Sequence, residues 1–155
     1  MGADLILFDD DNKISKELKI KLQKVTLGNE IVLGNVEINR KLIESKKIRI
    51  LVSPHIGAKK DFLNFRNSGL DDVICRLAKR NKVSIAFSFG EVLNCDGEKR
   101  VNILARMRQN VKLCNKYKVN MIIISLASEP YELRGQETFF SFGRVLGIKK
   151  VKIGV

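Results

Sequence analysis

The sequence holds one histidine, His55, and three cysteines, Cys75, Cys95 and Cys114. Metal-dependent hydrolases on barrel folds place several His and Asp ligands at their strand ends, and one histidine cannot build such a site. A Cys₃His zinc site is arithmetically possible, but the paired ligand spacing that marks such sites is missing. An odd number of cysteines without C-x-x-C spacing predicts reduced thiols in a cytoplasmic protein. No apolar run approaches the ~20 residues that span a bilayer, so no membrane partner is expected. The opening Met1-Gly2-Ala3-Asp4 has an acid where a secretion signal would carry Lys or Arg. Neither a G-x-x-x-x-G-K-[ST] phosphate loop nor a G-x-G-x-x-G turn occurs. No Ser-His-Asp or Cys-His pairing stands out, and together these gaps argue against a self-sufficient enzyme.

Positive charge, by contrast, is abundant. Lys and Arg number 29 against 17 Asp and Glu, a formal net charge of +12 over 155 residues. Such a charge raises self-repulsion in the folded state, and nucleic acid is the commonest partner that offsets it. An acidic protein, an anionic membrane or solubility alone are the blander readings. Apolar residues make up 45% of the chain, enough for one core in one domain over residues 1–155.

Short apolar runs alternate with helical spacings. Leu5–Phe8, Glu30–Leu33, Ile48–Val52, Val83–Phe87 and Asn120–Ser125 read as strands, and Val151–Ile153 as a short sixth. Leu18, Leu22 and Val25 recur at helical spacing. Ile38–Ser45 reads as a helix with Ile38, Leu42 and Ile43 inward. Ser68 is placed to cap a further helix, with Asp71 completing a capping box and Leu70, Val73, Ile74 and Leu77 as the buried face. A long helix is predicted over Lys99–Tyr117 and another within Tyr131–Ile148, stopped by Gly147. His55–Arg66 reads as a loop and Gly90–Gly97 as a turn. Unbroken apolar strands, each followed by a helix, indicate parallel βα units. Five or six units are too few for an eight-unit barrel, which leaves an open doubly wound sheet or a shortened barrel.

Three features bear on function. Lys99–Lys118 carries seven basic residues and no acidic one, and Arg108, Lys112 and Lys116 step by four along one face, away from the apolar stripe of Ile103, Met107, Val111 and Cys114. Like charges at this spacing repel, so the face suits phosphates or an acidic partner, unless it is simply solvated. The loop with Lys59, Lys60 and Arg66 follows a strand, at the edge where parallel α/β folds bind ligands, and Arg134 follows a later strand at the equivalent edge. A guanidinium there can grip a phosphate bidentately. His55 is either a general base, an RNA contact or an incidental loop residue. Asp9, Asp10 and Asp11 suit Mg²⁺ in principle, and a turn with a helix cap more ordinarily.

The stretch Arg66-Asn67-Ser68-Gly69-Leu70-Asp71-Asp72-Val73-Ile74-Cys75-Arg76-Leu77-Ala78, with Asn81–Ser88, resembles the ribonuclease P protein component 3 family. Met107-Arg108-Gln109-Asn110 through Lys116-Tyr117-Lys118-Val119 is similar to the same family, as are Ile124-Ser125 and Ala127-Ser128, Glu132-Leu133-Arg134-Gly135 and Phe142-Gly143-Arg144-Val145-Leu146-Gly147. The resemblance spans Ser53–Gly147 and is loose over the first 50 residues, where family members run longer. It implies a metal-hydrolase-like, TIM-barrel-like fold short of one or two βα units. It also implies a subunit of ribonuclease P, in which the RNA subunit uses Mg²⁺ to remove 5′ leaders from precursor tRNA while this chain binds no cofactor and catalyses nothing itself. The implied partners are the ribonuclease P RNA, precursor tRNA, other protein subunits, and protein component 2, with which component 3 forms a heterotetramer. Carried over by motif, Arg134 is the first candidate RNA contact, then Arg66, then Lys59 and Lys60. Gly69 and Gly143 fall on family glycines and read as structural. A stand-alone phosphoesterase and a protein scaffold are the alternatives.

Overall fold

A computed structural model describes residues 30–127 and 132–153, with the backbone pairing of Leu5–Ile6 and Gln23–Lys24. Four parallel strands, β3 (Ile31–Leu33), β4 (Ile50–Val52), β5 (Ser84–Ser88) and β6 (Met121–Ile124), form one sheet in the order β3-β4-β5-β6. Between and after them lie α1 (Asn39–Glu44), α2 (Asp72–Arg80), α3 (Phe89–Leu93), α4 (Gly97–Tyr117) and α5 (Gln136–Leu146). β1 (Leu5–Ile6) and β2 (Gln23–Lys24) pair in parallel as a separate two-stranded sheet.

Each strand of the four-stranded sheet lies beside its sequence neighbour. Right-handed crossovers in one unbroken direction put every helix on the same face, as in a barrel and unlike a doubly wound sheet. The side chains divide accordingly. Leu51, Ile85, Phe87, Met121 and Ile123 face the helices and join Ile43, Ile74, Ala78, Met107, Val111, Phe139 and Leu146 in one core. Ile50, Val52, Ala86, Ile122 and Ile124 point the other way and form a smaller cluster, the layer that fills a barrel interior. The described residues thus form the expected TIM-barrel-like run of parallel βα units. The predicted sixth strand is reduced to one bridge, Ile123 with Ile153.

Several local expectations change. Asp71, not Ser68, caps α2: its carboxylate accepts from the Ile74 N–H at 2.6 Å. Ser68 is buried and accepts instead from Gln109 on α4. Val73 is 46% exposed, because burial shifts one position to Ile74, Cys75 and Ala78. Ile38 is likewise exposed, and the buried residue beside it is Asn39. The predicted turn after β5 contains α3, capped by Ser88, whose hydroxyl accepts from the Glu91 N–H. Gln23–Lys24 are extended where Leu18, Leu22 and Val25 suggest helix, and the rest of that segment and Asp9–Asp11 lie outside the described residues. Gly147 ends α5 in the left-handed region, as expected.

Candidate nucleic-acid interface

The C-terminal ends of the strands are held in place from below. Asn39 is fully buried; its amide donates to the Pro54 carbonyl at 2.7 Å and to the Gly69 carbonyl at 2.9 Å, while its oxygen accepts from the Asn35 N–H. One side chain thus joins the turns after β3 and β4 to the start of α2. Gly69, at φ +78°, lies so close that a Cβ would stand 1.9 Å from the Pro54 carbonyl oxygen. Ser53, after β4, and Leu126, after β6, adopt left-handed backbone at φ 48° and 46°. Non-glycine residues seldom do so unless the surrounding structure holds them there.

Above this base sits the loop 58–68, which α4 holds through a polar stripe. Asn102, Arg106 and Gln109 follow helical i, i+4, i+7 spacing and flank the apolar stripe. Asn102 accepts from the Arg66 guanidinium at 3.1 Å. Arg106 donates to Asp61 at 2.9 Å and to the Ala58 carbonyl at 3.1 Å. Gln109 bonds the backbone N–H and carbonyl of Arg66 and the Ser68 hydroxyl. Asp61 is the hub: it accepts from Arg66 at 2.7 Å, from Arg106, and from the Asn67 N–H. Burial by itself would raise the Asp61 pKa, but the hydrogen bonds from Arg66 and then Arg106 outweigh it and hold the carboxyl below its ordinary value.

Between this loop, α3 and the first turns of α4 lies a cavity of about 760 Å³. Lys59, Lys99, Asn102, Arg106 and Glu98 line it with the apolar Ile56, Ala58 and Ile103, and His55 and Glu91 belong to its wall. His55 Nε2 lies 3.6 Å from Glu91 Oε2, a distance that by itself suggests an ion pair. The imidazole is nevertheless neutral at neutral pH: burial, then the charge of Arg106, lowers its pKa to about 4. Burial raises the pKa of Glu91, against the pull of a hydrogen bond from Ser53. The Ser53 hydroxyl donates to Glu91, not to His55, so the three make no nucleophile-and-base relay. Neither ring nitrogen of His55 has a hydrogen-bond partner among the described residues.

The predicted contacts therefore fall into separate places. His55 and Lys59 line the cavity, Lys60 is exposed beside it, and Arg66 is committed to the loop's internal network. Arg108, Lys112 and Lys116 are exposed further along α4. Lys116 stands about 25 Å down the helix axis from Lys99, given a 1.5 Å rise per residue. It pairs with Asp72 at 3.4 Å and lies over the Tyr117 ring. Arg134 precedes α5, half-buried, with its guanidinium donating to the Leu133 carbonyl, and is not among the cavity's lining residues. Glu91 and Arg106 are the residues missed from sequence; the i, i+4, i+7 polar stripe was the available signal for Arg106. Among the described residues no group of three His, Cys, Asp or Glu could hold a metal ion, and no helix is long and apolar enough to cross a membrane.

The described residues thus form a parallel βα protein of TIM-barrel-like fold with a basic loop, braced by hydrogen bonds, at its strand ends. Residues 6–153 match the family described as RNase P subunit p30, and the chain belongs to that family. It is 34% identical over 123 residues to ribonuclease P protein component 3 of Methanocaldococcus jannaschii, covering 77% of this chain and 50% of that protein. It is 31% identical over 145 residues to the Thermococcus kodakarensis protein of the same name, covering 94% and 61%. The chain spans about half the length of the first of these relatives. Its fold matches a chain from the cryo-EM structure of archaeal ribonuclease P with mature tRNA at a TM-score of 0.71 and 23% identity, over 96% of this chain and 75% of that one.

Proposed function

We propose that this chain is a non-catalytic protein subunit of ribonuclease P, supporting RNA-catalysed removal of 5′ leaders from precursor tRNA by binding and positioning RNA. The observation that carries the reading is the braced rim loop. It spends one acid, Asp61, on two internal arginines and leaves Lys59 and Lys60 without an ion pair among the described residues. Lys59, Lys60, Arg66 and Arg134, with His55 in the cavity wall, are the contacts we assign to RNA at the rim, and Arg108, Lys112 and Lys116 on α4. The partners are the ribonuclease P RNA, precursor tRNA, protein component 2 and the other protein subunits, in the cytoplasm. Mg²⁺ serves the RNA, and the chain needs no cofactor.

Reconstitution tests this. Added to the cognate RNA with component 2 at moderate Mg²⁺, the chain should increase precursor-tRNA cleavage, and no gain would overturn the reading. Purified without RNA, it should cleave nothing; EDTA-sensitive hydrolysis by the chain alone would revive a phosphoesterase.

A further inference from the structure

We propose that the cavity walled by His55 and Glu91 receives one unpaired RNA nucleotide, its base edge on the Glu91 carboxylate and its phosphate on Lys59 and Lys99 at the mouth. The inference rests on the ribonuclease P reading and names the substrate feature that its rim recognises. A volume of about 760 Å³ suits a ligand of nucleotide size, within the ~300–1,000 Å³ usual for small-molecule sites. Its chemistry is graded as a nucleotide's is. Ile56, Ala58 and Ile103 offer apolar walls to a base, and Lys59 and Lys99 offer cations to a phosphate. Lys99 lies in the first turns of a 21-residue helix, whose N-terminal end adds partial positive charge.

The carboxylate decides which base. Glu91 keeps about a quarter of its side chain exposed and is held from behind by the Ser53 hydroxyl. An ionised carboxylate only accepts hydrogen bonds. Guanine alone presents two adjacent donors, N1–H and N2–H, on its pairing edge, and these are reachable only when the base is unpaired. His55 is 4% exposed, and a buried polar group without a partner carries its full desolvation cost. It lies 3.6 Å from the same Glu91 oxygen that Ser53 bonds and acts on that carboxylate as a positioning residue.

The same loop continues into a platform for the neighbouring base. Phe62 and Phe65 are 54% and 59% exposed, with ring centroids 4.6 Å apart, and the Phe62 N–H donates to the Phe65 carbonyl. Lys59, Lys60 and Arg66 flank them. Aromatic rings set among cations on a rigid loop are how single-stranded RNA is held by stacking and phosphate contact.

The test uses the full chain and two fluorescent single-stranded hexanucleotides, all uridine or uridine with one central guanosine, read by anisotropy. The guanosine oligomer should bind roughly fivefold tighter or more, as a bidentate base contact provides. Glu91→Gln should abolish that preference. So should Ala58→Trp, which fills the cavity without changing its charge and keeps the test sound if the Glu91 variant unfolds. Phe62→Ala with Phe65→Ala should weaken both oligomers roughly tenfold and keep the preference. Equal affinity of the wild type for both oligomers, or a preference that survives both cavity substitutions, overturns the nucleotide site. Unchanged RNA affinity of the phenylalanine variant with lost stimulation in reconstitution overturns the platform and assigns it to a protein partner. In each overturning case, stimulation of cleavage by the wild type would still stand, so the failure is separable from that of the subunit reading.

Discussion

The rim loop and the far half of α4 carry similar numbers of basic residues but use them differently. At the rim, Arg66 and Arg106 are bound to Asp61 and to helix side chains, and their charge builds the loop on which Lys59 and Lys60 are displayed. On α4, Arg108 and Lys112 make no ion pair among the described residues, while Lys116 leans on Asp72 and Tyr117. Lys59 lines a cavity that can seat a ligand, whereas Arg108 and Lys112 stand on an open helix face. The rim is therefore suited to placement, and the helix face to attraction at a distance.

Breaking the base under the rim should have the largest effect. Gly69→Ala adds a Cβ 1.9 Å from the Pro54 oxygen at a left-handed φ. Strain and overpacking together should cost about 4 kcal/mol, read as a loss of denaturant midpoint. A larger change on the exposed helix face, the truncation Arg108→Ala, should stay within about 0.5 kcal/mol. Next comes the hub. Asp61→Ala leaves the Arg106 guanidinium, 12% exposed, without its carboxylate. It should cost about 2 kcal/mol and lower the melting temperature by roughly 5 °C. Stability that depends on Asp61 is present above the ordinary carboxylate pKa and lost as pH falls through its depressed folded value.

Much of this was legible in the chain, for physical reasons that differ by element. β4, β5 and β6 are buried on both faces, so continuous apolar runs such as Met121–Ile124 reported them directly. The α4 stripe of Met107, Val111 and Cys114 was visible through its period. The cap of α2 was displaced because Ser68 and Asp71 both suit an N-cap, and only tertiary contact with Gln109 decides which one is free to do so. The sequence left the role of His55 open, because nothing local shows that Glu91, 36 positions later, lies 3.6 Å away. Arg106 was passed over because it neither steps with Arg108 nor belongs to the apolar stripe, although its spacing from Asn102 and Gln109 marked a third face.

A pH series sharpens the same contrast. The folded pKa of His55, about 4, lies below its ordinary 6.5, so the unfolded chain binds the extra proton between those values. Stability from the neutral imidazole is complete above pH 6.5 and lost as pH falls towards 4. Between pH 7.5 and pH 5 the loss should be about 2 kcal/mol. Glu91, shifted upward, acts in the opposite direction. It is present in both the wild type and His55→Gln, so the difference between their stability curves isolates the histidine. Parallel curves for the two proteins would show that the imidazole is not buried as described.

The smallest expected effect bears most directly on function. Lys59→Ala with Lys60→Ala should leave stability within about 0.5 kcal/mol, because neither lysine holds a partner among the described residues. If both contact phosphates, the slope of log affinity against log salt for the cognate RNA should fall by about two units. Arg108→Ala with Lys112→Ala provides the counterpart. Removing cations that act at a distance should lower the association rate and the salt slope while leaving the dissociation rate close to wild type. Loss of the rim pair should instead raise the dissociation rate, since Lys59 lines the cavity that seats the ligand. Identical kinetic signatures for the two pairs would erase the distinction between placement and attraction.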